Sequence, residues 1–239
     1  MNDFTVTVAV DFEHAEELLE VLPTWERNKP SLFLRPWVLM ISSDVGVRLI
    51  DITHVLSGFG VVPMMFRIPG KWGEDHRSRM LNSFLQISPH ITTRHYLKID
   101  TDCVAIGIDS WFRGMLDDDA VMTAPAWSYT KPAYYLDHLD SWSDQIPCMQ
   151  NLPRPLREVY DETARSSRVT SYWSFIQTAF ARSLAAICPL LPVPSQDTTM
   201  WYAANRMQAP IHRFHGNSGW LHCGSDPKRI TSAVEKAMR

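Results

Sequence analysis

The stretch Tyr96-Leu97-Lys98-Ile99-Asp100-Thr101-Asp102-Cys103-Val104 decides the fold. It predicts a buried β-strand carrying two carboxylates spaced i, i+2 at its end. In α/β proteins, ligands collect at the carboxyl ends of strands. Two acidic side chains leaving such an end suit a hard divalent cation, with phosphate oxygens filling its remaining positions. The spacing alone is weak, because 17 Asp in 239 residues give about one Asp-x-Asp by chance. A second pair, Asp117/Asp119, does occur. It lies in an acidic run after Gly114 that reads as a solvated turn. The apolar strand ahead of Asp100 sets the first pair apart. Lys98, inside that strand, is read as pointing across the sheet to solvent and is given no role.

Outward from this strand, the N-terminal side alternates. Phe4 to Val10 (FTVTVAV) is a β-branched run and predicts a first strand. Glu13 to Leu22 carries Ala15, Leu18, Leu19 and Leu22 at helical spacing. Pro36 to Ile41 predicts a second strand, and a connection leads to a third over Val61 to Phe66. Pro63 places that third strand near a sheet edge, since proline cannot donate to a ladder. Glu74 to Gln86 predicts a helix bearing Arg77, Arg79 and Asn82. On the C-terminal side, Ala120 to Pro125 predicts a strand and Trp127 to Met149 an aromatic-rich irregular segment. Ser171 to Phe180 predicts a strand and Ala181 to Ile187 a short helix. Asp197 opens a further helix, Ile211 to Phe214 is strand-like, and Pro227 to Met238 predicts a closing helix. Strands alternating with helices point to an α/β fold with crossover connections.

Composition narrows the class. The net charge of −3, with no long run of one sign, argues against broad electrostatic binding to nucleic acid or anionic membrane. Cys103, Cys148, Cys188 and Cys223 form no C-x-x-C pair, so free thiols in a reducing cytosol are expected. The first residues carry no basic n-region, and no apolar run reaches the roughly 18 residues of a membrane span. A cytoplasmic location is the resulting expectation.

Taken in order, the chain resembles glycosyltransferases of the GT-A type, which use nucleotide sugars. The residues that carry the resemblance are Arg79 and Asn82, then Asp100-Thr101-Asp102, then Gln196-Asp197, and then His222 or His215. The resemblance spans nearly the whole chain. It implies one GT-A-like, Rossmann-related domain over 1–239, with a mixed, mostly parallel sheet flanked by helices. Residues 1–104 would bind the nucleotide and 105–239 the acceptor. It implies a hexosyl- or related transferase that moves a sugar from a nucleotide diphosphate sugar, with uridine diphosphate the expected carrier. Mn²⁺ or Mg²⁺ is the implied cofactor. Asp102 is the implied direct ligand, and Asp100 contacts the ribose or donor sugar or reaches the metal through water. His222 fits the family distance better than His215 or His212, and an imidazole favours Mn²⁺.

Val10, Asp11, Asp44, Arg79, Asn82, Asp100 and Thr101 are the expected donor-binding residues, with Arg79 matched to phosphate or sugar. Gln196, Trp127 and Trp220 are the expected acceptor contacts. Asp197 is either a helix N-cap or the base that takes the acceptor's hydroxyl proton. In the second role, in-line attack inverts the anomeric centre. The acceptor is a glycan, a small molecule, a protein or a modified DNA base. Two other readings stand beside this one. Asp100-Thr101-Asp102 also resembles the first motif of haloacid-dehalogenase-type Mg²⁺ phosphatases, although that family places it on the first strand. A non-catalytic module that binds a nucleotide sugar is the third.

Overall fold

β1 (Phe4–Val10) is buried along its whole length. That suits a strand with neighbours on both edges and cover on both faces. Its edges pair in parallel with β2 (Trp37–Ile41) and β4 (His95–Ile99). Val6, Val8 and Val10 join Leu18, Leu22 and Trp25 of α1 (Phe12–Asn28) in one apolar layer, and Ala9 faces a second. The threonines of β1 are satisfied across the ladder. Thr7 Oγ1 donates to the Leu97 carbonyl at 3.0 Å, and the Thr5 and Thr93 hydroxyls share a 2.8 Å hydrogen bond. The computed structural model describes residues 4–68, 84–107, 119–127, 168–169, 172–187, 204, 207–214 and 218–239.

The remaining strands are β3 (Met64–Arg67), β5 (Cys103–Ala105), β6 (Met122–Trp127), β7 (Arg168–Val169), β8 (Trp173–Gln177), β9 (Ile211–Phe214) and β10 (Trp220–His222). Among the described residues, the main sheet has eight strands in the order β3-β2-β1-β4-β8-β6-β7, with β9 paired to β6. The β3/β2, β2/β1, β1/β4 and β6/β9 pairs are parallel, and the pairs through β8 and β7 are antiparallel. The sheet is therefore mixed, and β3 lies at the edge of the described strands; it starts at Met64, after Pro63, so the proline precedes the strand and is not part of its ladder. Three further helices are described: α2 (Arg48–Gly58), α3 (Thr178–Ile187) and α4 (Pro227–Ala237).

One expectation is corrected here and one is sharpened. The segment between β2 and β3 contains α2, whose buried Ile52 and Leu56 lie one turn apart. The strand within Tyr96–Val104 ends at the two carboxylates, as expected, and a second strand follows them. β4 stops at Ile99, and the Asp100 amide donates to the Tyr172 carbonyl at 2.8 Å. The chain then turns through Thr101 and Asp102, and β5 leaves to pair antiparallel with β10. Side chains of α1 satisfy the other edge of β5. Thr24 Oγ1 accepts from the Ala105 amide at 3.1 Å, Trp25 Nε1 donates to the Cys103 carbonyl at 2.6 Å, and Asn28 Nδ2 donates to the Ala105 carbonyl at 2.9 Å. Those bonds complete the backbone pairing that a buried segment requires.

β5 and β10 form a two-stranded ribbon whose register sets His222 opposite Cys103. Just beyond the ribbon's end, Gly107 and Gly219 touch. A Cβ on Gly107 would lie 2.7 Å from the Gly219 Cα. Gly219 has φ +68, a left-handed conformation that glycine adopts without penalty.

Candidate functional site

From β1 the chain builds outward through β2 to β3 and then returns to β4 on the other side of β1. That reversal is a topological switch point, where the strand ends open a crevice. A cavity of about 180 Å³ lies there. Ala9 of β1 and His14 of α1 line one side, Asp100, Thr101 and Asp102 the middle, and His222, Gly224 and Ser225 the other side.

Asp102 is buried at the turn between β4 and β5. Its Oδ2 accepts from the Ser225 amide at 2.8 Å and lies 3.2 Å from His222 Nε2. Gly224 and Ser225 both have left-handed backbones, with φ of +68 and +52. The Asp102 carbonyl also accepts from the Cys223 amide at 3.2 Å. The His222 ring stacks on Tyr172, with centroids 5.0 Å apart and planes 9° apart. Two segments more than a hundred residues apart are thus locked together at their functional ends.

Asp100 leaves the end of β4 and is half-buried, and Lys98 Nζ contacts its Oδ1. Burial pushes the Asp100 carboxyl above the ordinary carboxylate range, and the Lys98 ammonium opposes that rise. Lys98 is itself only 1% exposed, so the expectation that it crosses to solvent is corrected. Strand periodicity puts Lys98 and Asp100 on one face.

On the near side, Asp11 caps α1. Its Oδ1 accepts from the His14 amide at 2.8 Å and lies 2.6 Å from His14 Nδ1. The hydrogen bond to Asp11 raises His14 to about 9, although burial opposes it. For Asp11, burial works to raise the carboxyl, and the bonds from His14 carry it below the usual value. Thr101 Oγ1 donates to Glu17 Oε2 at 2.9 Å.

One donor atom each from Asp100, Asp102 and His222 lies within 4.8 Å of the other two. A small divalent ion with donors at about 2.1 Å holds cis donors about 3.0 Å apart and trans donors about 4.2 Å apart. The 3.2 Å between Asp102 and His222 is therefore a cis spacing. His222 is the exposed member and has room to close the rest. Two carboxylates and an imidazole are a donor set that takes Mn²⁺ or Mg²⁺.

The other expected residues divide. Val10 ends β1 in the core, and its carbonyl accepts from the Ser42 amide at 3.0 Å. Asp44 accepts a hydrogen bond from Ser42 Oγ. Neither Asp11 nor Asp44 lines the cavity. Trp220 is corrected from acceptor platform to core residue. It is buried, meets Trp25 edge-to-face at 5.3 Å and lies under Lys29. His212 sits on β9, paired with Thr123 of β6. Arg79, Asn82, Gln196, Asp197, His215 and the Trp127 side chain lie outside the described residues. The sequence reading missed His14, Lys98, Tyr172 and the Ser225 amide. Lys98 had a signal in its i, i+2 spacing to Asp100, and His14 in its place three residues after an Asp cap. Tyr172 had none.

No family model and no curated protein matches the sequence. Solved structures do match the fold. The bifunctional glycosyltransferase WbbM, in its apo form, aligns with 89% of this chain at a TM-score of 0.54 and 10% identity. This chain spans only 39% of WbbM's length. The galactosyltransferase LgtC, in complex with donor and acceptor sugar analogs, aligns over 97% of this chain and 95% of its own, at a TM-score of 0.50 and 12% identity. Core-mannan synthase A from Aspergillus fumigatus, in a Mn/GDP form, aligns over 90% and 73%, at a TM-score of 0.50 and 12% identity. The class of fold is therefore that of GT-A-type glycosyltransferases. Among the described residues, no helix is long and apolar enough to cross a membrane.

Proposed function

We propose that this chain transfers a sugar from a nucleotide diphosphate sugar to an acceptor hydroxyl, with a divalent cation held by Asp100, Asp102 and His222. One observation carries the proposal. Two carboxylates from the end of β4 and an imidazole from β10 converge at the switch-point cavity of a GT-A-type fold. A cation in such a site neutralises the departing diphosphate as a Lewis acid and template.

The chain's own groups divide the remaining work. Asp102, fixed by the Ser225 amide, is the rigid ligand. His222 is the adjustable one, aligned by stacking on Tyr172. It offers an Nε2 lone pair that favours Mn²⁺ over Mg²⁺. Asp100 completes the set and reaches toward the ribose or donor sugar. His14, held as an imidazolium by Asp11, faces the same cavity and is placed to meet phosphate oxygens. Gln196 and Asp197 remain the proposed acceptor-side groups. The phosphatase reading loses ground because the acidic pair follows β4 and not the first strand, and because Asp100 is tied to Lys98.

The test is a melting-temperature panel of UDP, GDP, ADP and CDP, each with and without Mn²⁺. A ligand that binds only the folded state raises the melting temperature. One diphosphate is expected to do so only with Mn²⁺, and its sugar nucleotide is then the donor to assay for turnover. No metal-dependent shift with any of the four contradicts the proposal.

A further inference from the structure

Lys98 is a buried cation paired to a wall residue, Asp100, of a site that reads as built for another cation. It lies on β4 with its side chain 1% exposed, its Nζ against Asp100 Oδ1, and its ammonium 5.7 Å from the Phe84 ring centroid. A buried ammonium is tolerated only when paired, and here one of its partners is a candidate metal ligand. Asp100 and Asp102 are the two carboxylates of the set, and Lys98 sets an ammonium against the first of them. A divalent ion arriving alone must share Asp100 with that ammonium, and the two cations repel each other through the carboxylate between them. A nucleoside diphosphate brings its own negative charge with it.

We propose that Lys98 makes cation binding conditional on the nucleoside diphosphate. By holding Asp100 in an ion pair, it keeps the affinity for the free ion low, so that metal and diphosphate occupy the site as one unit. The inference rests on the metal-site reading above. Lys98 is on this account a positioning residue that acts through Asp100 and touches no reacting atom. Its effect is on metal affinity without nucleotide, which a purely structural lysine would leave unchanged.

The experiment is a Mn²⁺ titration followed by the loss of the free-ion electron paramagnetic resonance signal, with and without UDP or GDP. The proteins are wild type, Lys98→Gln, Lys98→Met, Lys98→Arg and, as the site control, Asp102→Asn. In wild type the diphosphate is expected to raise Mn²⁺ affinity at least about tenfold. Lys98→Gln and Lys98→Met are expected to bind free Mn²⁺ at least about tenfold more tightly than wild type, and Lys98→Arg to stay close to wild type. If wild type binds Mn²⁺ with diphosphate but Lys98→Gln binds the free ion no better than wild type, the inference is overturned and the metal site stands. If Mn²⁺ binds to neither form, or Asp102→Asn binds it as well as wild type, both are overturned. Should the neutral variants fail to fold by circular dichroism, wild type decides. Equal Mn²⁺ affinity with and without diphosphate overturns the inference.

Discussion

The contact between Gly107 and Gly219 is what lets β10 carry His222 up to Asp102, and alanine substitutions at three glycines separate its components. Gly219 has φ +68, and a Cβ there would lie 2.8 Å from the Gly107 Cα and 2.9 Å from Lys29 Nζ. The left-handed backbone costs an alanine about 1–2 kcal/mol, and forcing an extra methyl into packed backbone costs about 1–3 kcal/mol. Gly219→Ala should therefore lose about 2–5 kcal/mol, or roughly 5–15 °C in melting temperature for a chain of this size. Gly224 shares the φ of +68, but its Cβ would meet nothing closer than Arg229 Nη1 at 3.8 Å. Gly224→Ala should lose only the backbone part, about 1–2 kcal/mol. Gly107 is not left-handed, yet its Cβ would lie 2.7 Å from the Gly219 Cα. Gly107→Ala should lose only the steric part, about 1–3 kcal/mol. Gly107 lies outside the cavity lining, so its variant should also weaken Mn²⁺-dependent nucleotide binding through the ribbon alone. Urea and thermal melts of the three variants measure the series. If Gly107→Ala and Gly219→Ala melt with wild type, the two backbones are not held by this contact and the reasoning fails.

Further outcomes follow from the same geometry. Asp102→Asn should weaken Mn²⁺ binding by at least about 10–100-fold, the range for residues that merely orient ligands; calorimetry with the diphosphate present measures it. Trp25→Phe leaves the Cys103 carbonyl without its 2.6 Å partner and removes buried ring volume, so urea unfolding should show a loss of about 2–4 kcal/mol. His14 is raised from 6.5 to about 9 in the folded chain. Its contribution is therefore full below pH 6.5 and disappears as the pH rises through 9. That loss is on the order of 2–3 kcal/mol; His14→Gln should flatten the stability profile in that window, and an imidazole titration by nuclear magnetic resonance should place the midpoint near 9.

Much of the parallel half of the fold was legible because its strands are buried on both faces. The β-branched run of β1 and the apolar run of β2 carry that burial openly. What escaped depends on distant partners. Cys103 to Ala105 follows β4 after a short turn, and pairing with β10 together with the bonds from Tyr172, Thr24, Trp25 and Asn28 makes it a separate ribbon. α2 escaped because it buries only Ile52 and Leu56, too few to declare a period. Asp102 and His222 were named from the order of motifs, whereas their 3.2 Å approach comes from ribbon register. Trp220 was misassigned because an aromatic beside Gly219 and His222 reads as a surface platform. Its burial against Trp25 is a tertiary fact.

Asp100, Asp102 and His222 are proposed to hold a divalent cation together with a nucleoside diphosphate. The most direct measurement is anomalous scattering from crystals grown with Mn²⁺ and whichever diphosphate shifts the melting temperature. A manganese peak is expected bonded to Asp102 and His222, with diphosphate oxygens in its shell and His14 facing the phosphates. A manganese peak elsewhere, or a diphosphate bound away from the ends of β1 and β4, contradicts it.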